Sequence, residues 1–187
     1  MTEHSNAGWG PLSSLPGNPL MWVLILGELI VFSAFFAFYG VARAGDPETF
    51  RASQQLLDPV AGGINTMVLL TSGLFAALSI EALARGAVKR CRQWLLAAMG
   101  LGVVFCIVKI LEYRDKIGQG LMLETDTFFT FYYLLTGFHF AHVIFGLILL
   151  ALVVRFTSME NVETAAAFWH MVDLVWIFLY PLLYLLR

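Results

Sequence analysis

The chain has 187 residues, of which 59% are hydrophobic and 13% are charged, and its formal net charge is −2. A soluble domain has about 45–50% apolar and about 25% charged residues, so a globule of this size cannot hide so much apolar surface and lipid must solvate part of it. The charge excludes the basic surface of a nucleic-acid-binding protein, and two cysteines are too few for a disulfide framework or a thiolate metal site.

Five apolar segments are long enough to cross a bilayer, which takes roughly 20 residues. Backbone groups in hydrocarbon must bond within their own segment, so each segment is predicted to be a helix. The predicted fold is all-α, a single membrane domain over residues 1–187 built as a bundle of five transmembrane helices. A polar segment, residues 1–19, precedes helices expected at about 20–41, 62–83, 94–113, 128–156 and 165–186.

The turn between the second and third predicted helices indicates the orientation of the chain. It carries Arg85, Lys89, Arg90 and Arg92 and no acidic residue. Dense basic turns stay in the cytoplasm. Summed over both sides the Lys and Arg counts are equal, so the density of this turn decides that the N-terminus is cytoplasmic.

Ionisable side chains at membrane depth are costly and need a partner or a function. With a rise of about 1.5 Å per residue, four of them fall in one layer roughly 8–12 Å from the cytoplasmic face. Pairs spaced by three residues on the fourth and fifth helices share a helix face. These patterns predict a carboxylate–imidazole network joining the first, fourth and fifth helices, with either a packing or a proton-handling role. The residues of this predicted polar cluster are Glu28, His139, His142, His170, Asp173 and Trp176.

Two other features at membrane depth invite an interpretation. Lys109 and Glu112 are three residues apart near the outer end of the third helix, which predicts an ion pair whose lysine snorkels outward. A haem held by His142 and His170 from two helices is an alternative use of the histidines. The adjacent carboxylates favour hydrogen bonding instead.

Several segments together resemble subunit III of cytochrome c oxidase. They are TGFHFAHVIFGLILL (136–150), FWHMVDLVWIFLYPLLYL (168–185) and LGELIVFSAFF (26–36), with weaker likeness in INTMVLLTSG (64–73) and KILEY (109–113). By this resemblance Glu28 matches the family's intramembrane carboxylate, and the other cluster residues match polar positions of its last two helices. The resemblance implies an accessory subunit with no redox cofactor or metal of its own. It would pack on a haem-copper catalytic subunit that carries the haem and metal, stabilise it, support proton uptake and contact membrane lipids, with phospholipid as a candidate ligand.

The chain departs from the family pattern in two ways. Many members have seven helices, whereas this chain starts at what would be the third, and Lys109 stands where an uncharged residue is common. The short form opening with LPGNPLMWVLILGELIVF (15–32) most resembles the accessory protein of bacterial nitric oxide reductase systems, which places the chain in a bacterial inner membrane. A small independent proton channel or transporter, and a single-haem membrane protein, remain open as alternatives.

Overall fold

The computed structural model describes residues 18–186, so most of the predicted polar segment 1–19, together with Arg187, lies outside the described residues. The described chain is all-helical, and five of its helices are long and apolar enough to cross a membrane, which confirms the predicted fold class. The elements in chain order are α1 (Pro19–Gly45), α2 (Pro47–Gln54), α3 (Pro59–Ala84), α4 (Val88–Gly118), α5 (Thr127–Arg155), α6 (Met159–Tyr180) and a π-helical turn (Pro181–Leu185).

Three of the spanning helices, α1, α3 and α4, extend at both ends beyond the apolar runs that predict them, and α6 begins six residues earlier than predicted. The third of them, α4, covers residues 88–118 instead of 94–113. An apolar run marks the part of a helix that lies in hydrocarbon, whereas hydrogen bonding within the helix continues through polar flanks until a cap ends it. Such caps are present at Asp58, whose side chain accepts from Val60 N at 2.8 Å, and at Ser158, whose side chain accepts from Asn161 N.

The short helix α2 lies where the sequence predicts only a polar connection. Its start is fixed by Asp46, whose side chain accepts a hydrogen bond from Thr49 N, and by a proline at its first position. Gln54 at its end donates from Nε2 to the carbonyls of Leu182 and Leu183, at 3.0 and 3.1 Å. These bonds satisfy carbonyls of the π-helical turn, so α2 fastens the C-terminal end of the chain.

The most deeply buried span is α6, and small residues on its neighbours make room for it. The ring of Trp169 occupies a slot between α4 and α5. A Cβ placed on Gly102 would lie 2.8 Å from that ring, and one placed on Gly146 would lie 2.7 Å from it. Trp169 Nε1 donates to Ser72 Oγ of α3 at 3.0 Å, so one side chain joins three neighbours of α6.

The first helix is the least buried of the five spans. It packs on the bundle through Ile25, Phe32 and Tyr39, which are spaced by seven residues and so lie on one face. A crevice separates it from α5 on one side, and a groove separates it from α6 on the other. The start of α1, the α3–α4 turn and the α5–α6 turn lie at one end of the bundle, called here the basic end because it carries residues 85–92.

Candidate functional site

An acid–imidazole pair joins α1 to α5 inside the membrane span. Glu28 Oε2 lies 3.1 Å from His142 Nε2. The other ring nitrogen of His142, Nδ1, lies 2.8 Å from the carbonyl oxygen of Phe138. A carbonyl oxygen accepts hydrogen bonds, so Nδ1 must carry a proton and donate it. Nε2 faces the carboxylate at ion-pair distance, and Glu28 Oε2 has no hydrogen-bond partner among the described residues.

This pair is accessible from outside the bundle. The side chain of Glu28 is 25% exposed and that of His142 is 13% exposed. They border a crevice of about 280 Å³ whose other walls are Leu24, Ala141, Phe145 and Phe168. The crevice opens on the surface between α1 and α5, so a proton or a polar group from a neighbouring molecule can reach the pair there.

His139, one turn along α5 from His142, lies in a buried aromatic box. Its ring stacks on Trp176 with centroids 5.1 Å apart, and the edges of Phe105 and Phe32 close two other sides. His139 is buried, and neither ring nitrogen has a hydrogen-bond partner among the described residues. Trp176 donates from Nε1 to Thr66 Oγ1 at 2.9 Å, which fixes the ring against which His139 packs.

A second acid–imidazole pair lies on α6. His170 Nδ1 and Asp173 Oδ2 are 3.8 Å apart, but the two side chains have different surroundings. Asp173 is nearly buried against α3, where Gly73 leaves space for its carboxylate, and a Cβ at that position would collide with Oδ2. His170 is 46% exposed and lines the groove between α1 and α6, a space of about 420 Å³. Apolar side chains make up most of that groove, among them Ile25, Leu29, Met171 and Leu174.

The six residues of the predicted polar cluster lie in three separate places and do not form one continuous network. Glu28 meets His142, His139 stacks on Trp176, and His170 pairs with Asp173. Depth along a helix was estimated correctly for the first pair but says nothing about direction around the helix axis. Three residues turn an α-helix by about 300°. This rotation points His142 toward α1 and leaves His139 in the core.

The second predicted pair, Lys109 and Glu112, forms the centre of a buried cage near the other end of the bundle. Lys109 Nζ donates to Glu112 Oε2 at 3.2 Å, to Tyr132 OH at 3.1 Å and to Tyr184 OH at 2.8 Å. Both tyrosine hydroxyls donate in turn to Glu112 Oε1, at 2.7 and 2.6 Å. All three ammonium hydrogens and both hydroxyl hydrogens are thus committed.

Aromatic faces complete this cage, defined as Lys109, Glu112, Tyr132, Tyr184 and Trp176. The ammonium lies 4.7 Å from the ring centroid of Tyr132 and 5.4 Å from those of Tyr184 and Trp176. The expectation that the lysine snorkels outward is wrong, because its side chain is 1% exposed. The aromatic rings and the carboxylate hold the charge inside the bundle instead. Tyrosines at the same depth on other helices are the sequence signal that could have indicated this.

The geometry bears on cofactor binding. Nδ1 of His142 donates to the backbone carbonyl of Phe138, and Nε2 faces the Glu28 carboxylate at 3.1 Å. Within residues 18–186, no group of three or more His, Cys, Asp or Glu side chains is arranged to hold a metal ion. The side chains described above can share protons and form hydrogen bonds.

Comparison with known proteins identifies relatives of the whole bundle. The family model described as cytochrome c oxidase subunit III matches residues 18–186. A probable cytochrome c oxidase subunit 3 from Mycobacterium tuberculosis (strain ATCC 25618 / H37Rv) is 30% identical over 173 residues, covering 88% of this chain and 85% of the relative. Cytochrome c oxidase subunit 3 from Alkalihalophilus pseudofirmus is 31% identical over 175 residues, with coverages of 88% and 84%. Cytochrome c oxidase subunit 3 from a Bacillus species (strain PS3) is 28% identical, with coverages of 88% and 83%.

Proposed function

Because the chain belongs to the cytochrome c oxidase subunit III family, we propose that it is a non-redox accessory subunit that packs on a haem-copper catalytic subunit, stabilises it and supports its proton uptake. In this proposal electron transfer and the chemistry at oxygen or nitric oxide belong to the catalytic subunit, which holds the haem and the metal. This chain supplies packing surface and one proton-exchanging pair.

The observation that carries the proton role is the geometry of Glu28 and His142. Glu28 Oε2 and His142 Nε2 lie 3.1 Å apart, a distance at which a proton can pass between a carboxyl group and an imidazole. Moving that proton between carboxylate and imidazole changes no net charge, so the pair can exist in hydrocarbon in either state. In this proposal the pair takes up a proton on one side as it releases one on the other, so its net charge stays the same.

The position of the pair favours supply from the cytoplasm. Glu28 is nine residues into α1, or roughly 14 Å from its start at the basic end of the bundle. We place that end in the cytoplasm because Arg85, Lys89, Arg90 and Arg92 are concentrated there. The Lys109 cage lies toward the opposite end and has no uncommitted ammonium or tyrosine proton, so it is assigned to structure.

The proposed proton role is tested with Glu28→Gln in the complete complex purified from its own membranes. The substituted amide keeps the shape of the side chain but cannot exchange a proton. We expect lower turnover under conditions where proton uptake limits the rate, with unchanged haem spectra and unchanged recovery of this chain with the complex. Glu81→Gln is the matched control, because Glu81 is an exposed carboxylate that pairs with Arg85 at the basic end. Wild-type turnover for Glu28→Gln at every pH measured contradicts the proton role.

A nitric oxide reductase is the alternative catalytic partner, favoured by the likeness of residues 15–32 to the accessory protein of such systems. The length of the chain does not distinguish a nitric oxide reductase from an oxidase. The matches to relatives named as oxidase subunits cover 83–85% of those relatives' lengths, so those proteins are hardly longer than this chain. Mild-detergent purification of the complex, followed by assays of oxygen and nitric oxide consumption, separates the two. A colourless chain that purifies by itself contradicts both and favours an independent transporter.

A further inference from the structure

We propose that this chain docks on the catalytic subunit through α1, whose outward face packs between transmembrane helices of that subunit. The crevice beside α5 and the groove beside α6 form the two sides of this docking surface. The inference rests on the proposed function and adds to it the face that contacts the partner. The outward face of α1, called here the α1 ridge, comprises Val23, Leu26, Gly27, Ile30 and Ala34.

The first argument is where polar groups open to the outside. At membrane depth, Lys109 and Asp173 are sealed within the bundle, at 1% and 6% side-chain exposure. Glu112 on α4 is 15% exposed, but it has a charge partner and two hydroxyl donors within the cage, whereas the ionisable groups that line open spaces border α1 on both sides. Glu28 and His142 open into the crevice between α1 and α5, and His170 opens into the groove between α1 and α6.

The second argument is the kind of molecule that can cover these openings. Acyl chains offer no hydrogen bonds, so a carboxylate or imidazole that faces them loses the partners it has in water. A protein helix can present hydroxyl, amide or carboxylate side chains at the required depth. The polar chemistry of both flanks therefore favours a protein over lipid tails, and the family of the chain makes the catalytic subunit that protein.

The third argument is that both flanks open at similar depth. Asn18 N donates to Thr164 Oγ1 at 2.9 Å, so α1 and α6 are in register at the basic end. Counted from this contact, Glu28 lies roughly 15 Å along α1 and His170 roughly 9 Å along α6, a difference of about one helical turn. Two helices of the catalytic subunit, one on each side of the α1 ridge, would therefore each meet one opening that exposes ionisable side chains.

The shape of α1 fits such an insertion. It is the least buried span of the bundle, and its ridge carries Gly27 and Ala34, where a neighbouring backbone can come close. Nothing in the bundle lies within 4 Å of a Cβ built on Gly27. A large side chain at this position leaves the isolated chain intact and obstructs a helix packed against the ridge.

The test compares Gly27→Trp with Gly100→Trp in the complete complex. Gly100 is an exposed glycine on α4 with the same open space around its Cβ, so it is a matched site away from the ridge. With a tag on the catalytic subunit, we expect Gly27→Trp to reduce co-purification of this chain by about tenfold or more, because overpacking a close interface is strongly unfavourable. Gly100→Trp should co-purify as the wild type does. Equal thermal stability of the two purified variants verifies that both fold.

A photo-crosslinking amino acid gives an independent readout. Placed at Ile30 on the ridge it should crosslink to the catalytic subunit, and placed at Ile107 on the exposed side of α4 it should not. Loss of co-purification with Gly100→Trp but not with Gly27→Trp moves the interface to α4 and overturns the proposal. Normal co-purification of both variants, with crosslinks at Ile30 confined to lipid, also overturns it. If the wild-type chain co-purifies with no haem protein, that result contradicts the proposed function itself and not only the choice of α1 as the docking face.

Discussion

Replacing Lys109 by Met removes the one positive charge of the buried cage while keeping an apolar side chain of similar length. The variant loses three hydrogen bonds and leaves Glu112 without its charge partner. Removing one member of a buried ion pair costs about 3–5 kcal/mol. Glu112 is 15% exposed and keeps two hydroxyl donors, so we expect the lower end of that range, about 3 kcal/mol.

The assay is the free energy of unfolding of the purified chain in mixed micelles, followed by circular dichroism as sodium dodecyl sulfate is added. Lys89→Met is the matched control, since Lys89 is exposed on the first turn of the same helix. Its free energy of unfolding should stay within about 0.5 kcal/mol of the wild-type value.

A double variant, Lys109→Met with Glu112→Gln, sharpens this test. It removes both charges while the amide oxygen still accepts from the two tyrosine hydroxyls, so we expect it to be more stable than Lys109→Met by itself. The reasoning is refuted if Lys109→Met unfolds within about 0.5 kcal/mol of the wild type, or if the second substitution adds its own full cost to the first.

Two further substitutions test the packing around α6 and the C-terminal turn. Gly102→Ala should lower the free energy of unfolding by about 1–3 kcal/mol, because its Cβ would meet the buried ring of Trp169, whereas Gly100→Ala has open space and should be neutral or slightly stabilising in the same unfolding assay. Equal stability of these two variants would contradict the tight slot for the indole. Gln54→Ala should leave two carbonyls of the π-helical turn without a donor and increase hydrogen exchange at residues 182–185, and unchanged exchange there would show that α2 does not fasten the turn.

The five spanning helices could be predicted from the sequence because an apolar segment of about 20 residues in a membrane can satisfy its backbone hydrogen bonds within itself only as a helix. The short helix α2 could not, because a mostly polar segment of eight residues gives no such signal and its stability depends on contacts made elsewhere. Phe50 is buried, and Gln54 bonds to carbonyls about 130 residues away in the chain. Propensity within the segment does not contain that information.

The candidate site was predictable in depth but not in direction. Counting residues from the helix ends places Glu28 and His142 at the same level, and their atoms are in contact. The spacing of three residues grouped His139 with His142 on one face of α5, but the structure turns His142 toward α1 and leaves His139 in the core. Neither counting nor spacing tells which neighbour a helix face meets. The cage around Lys109 depends on Tyr132 and Tyr184, which only the packing of three segments brings together.

The polar groups inside this bundle differ in whether their protons are already committed, and that difference separates structural roles from proton exchange. In the Lys109 cage every ammonium and hydroxyl proton has an acceptor, so movement of one proton would break a bond that stabilises three segments. Glu28 Oε2 has no hydrogen-bond partner among the described residues, and Glu28 and His142 border an open crevice, so a proton exchanged there breaks no such bond. Substitutions in the cage should therefore lower the stability of the chain more than the turnover of the complex. Glu28→Gln should lower the turnover more than the stability. A cage variant that keeps its stability but loses proton-limited turnover would show that the half of the bundle away from the basic end also carries protons.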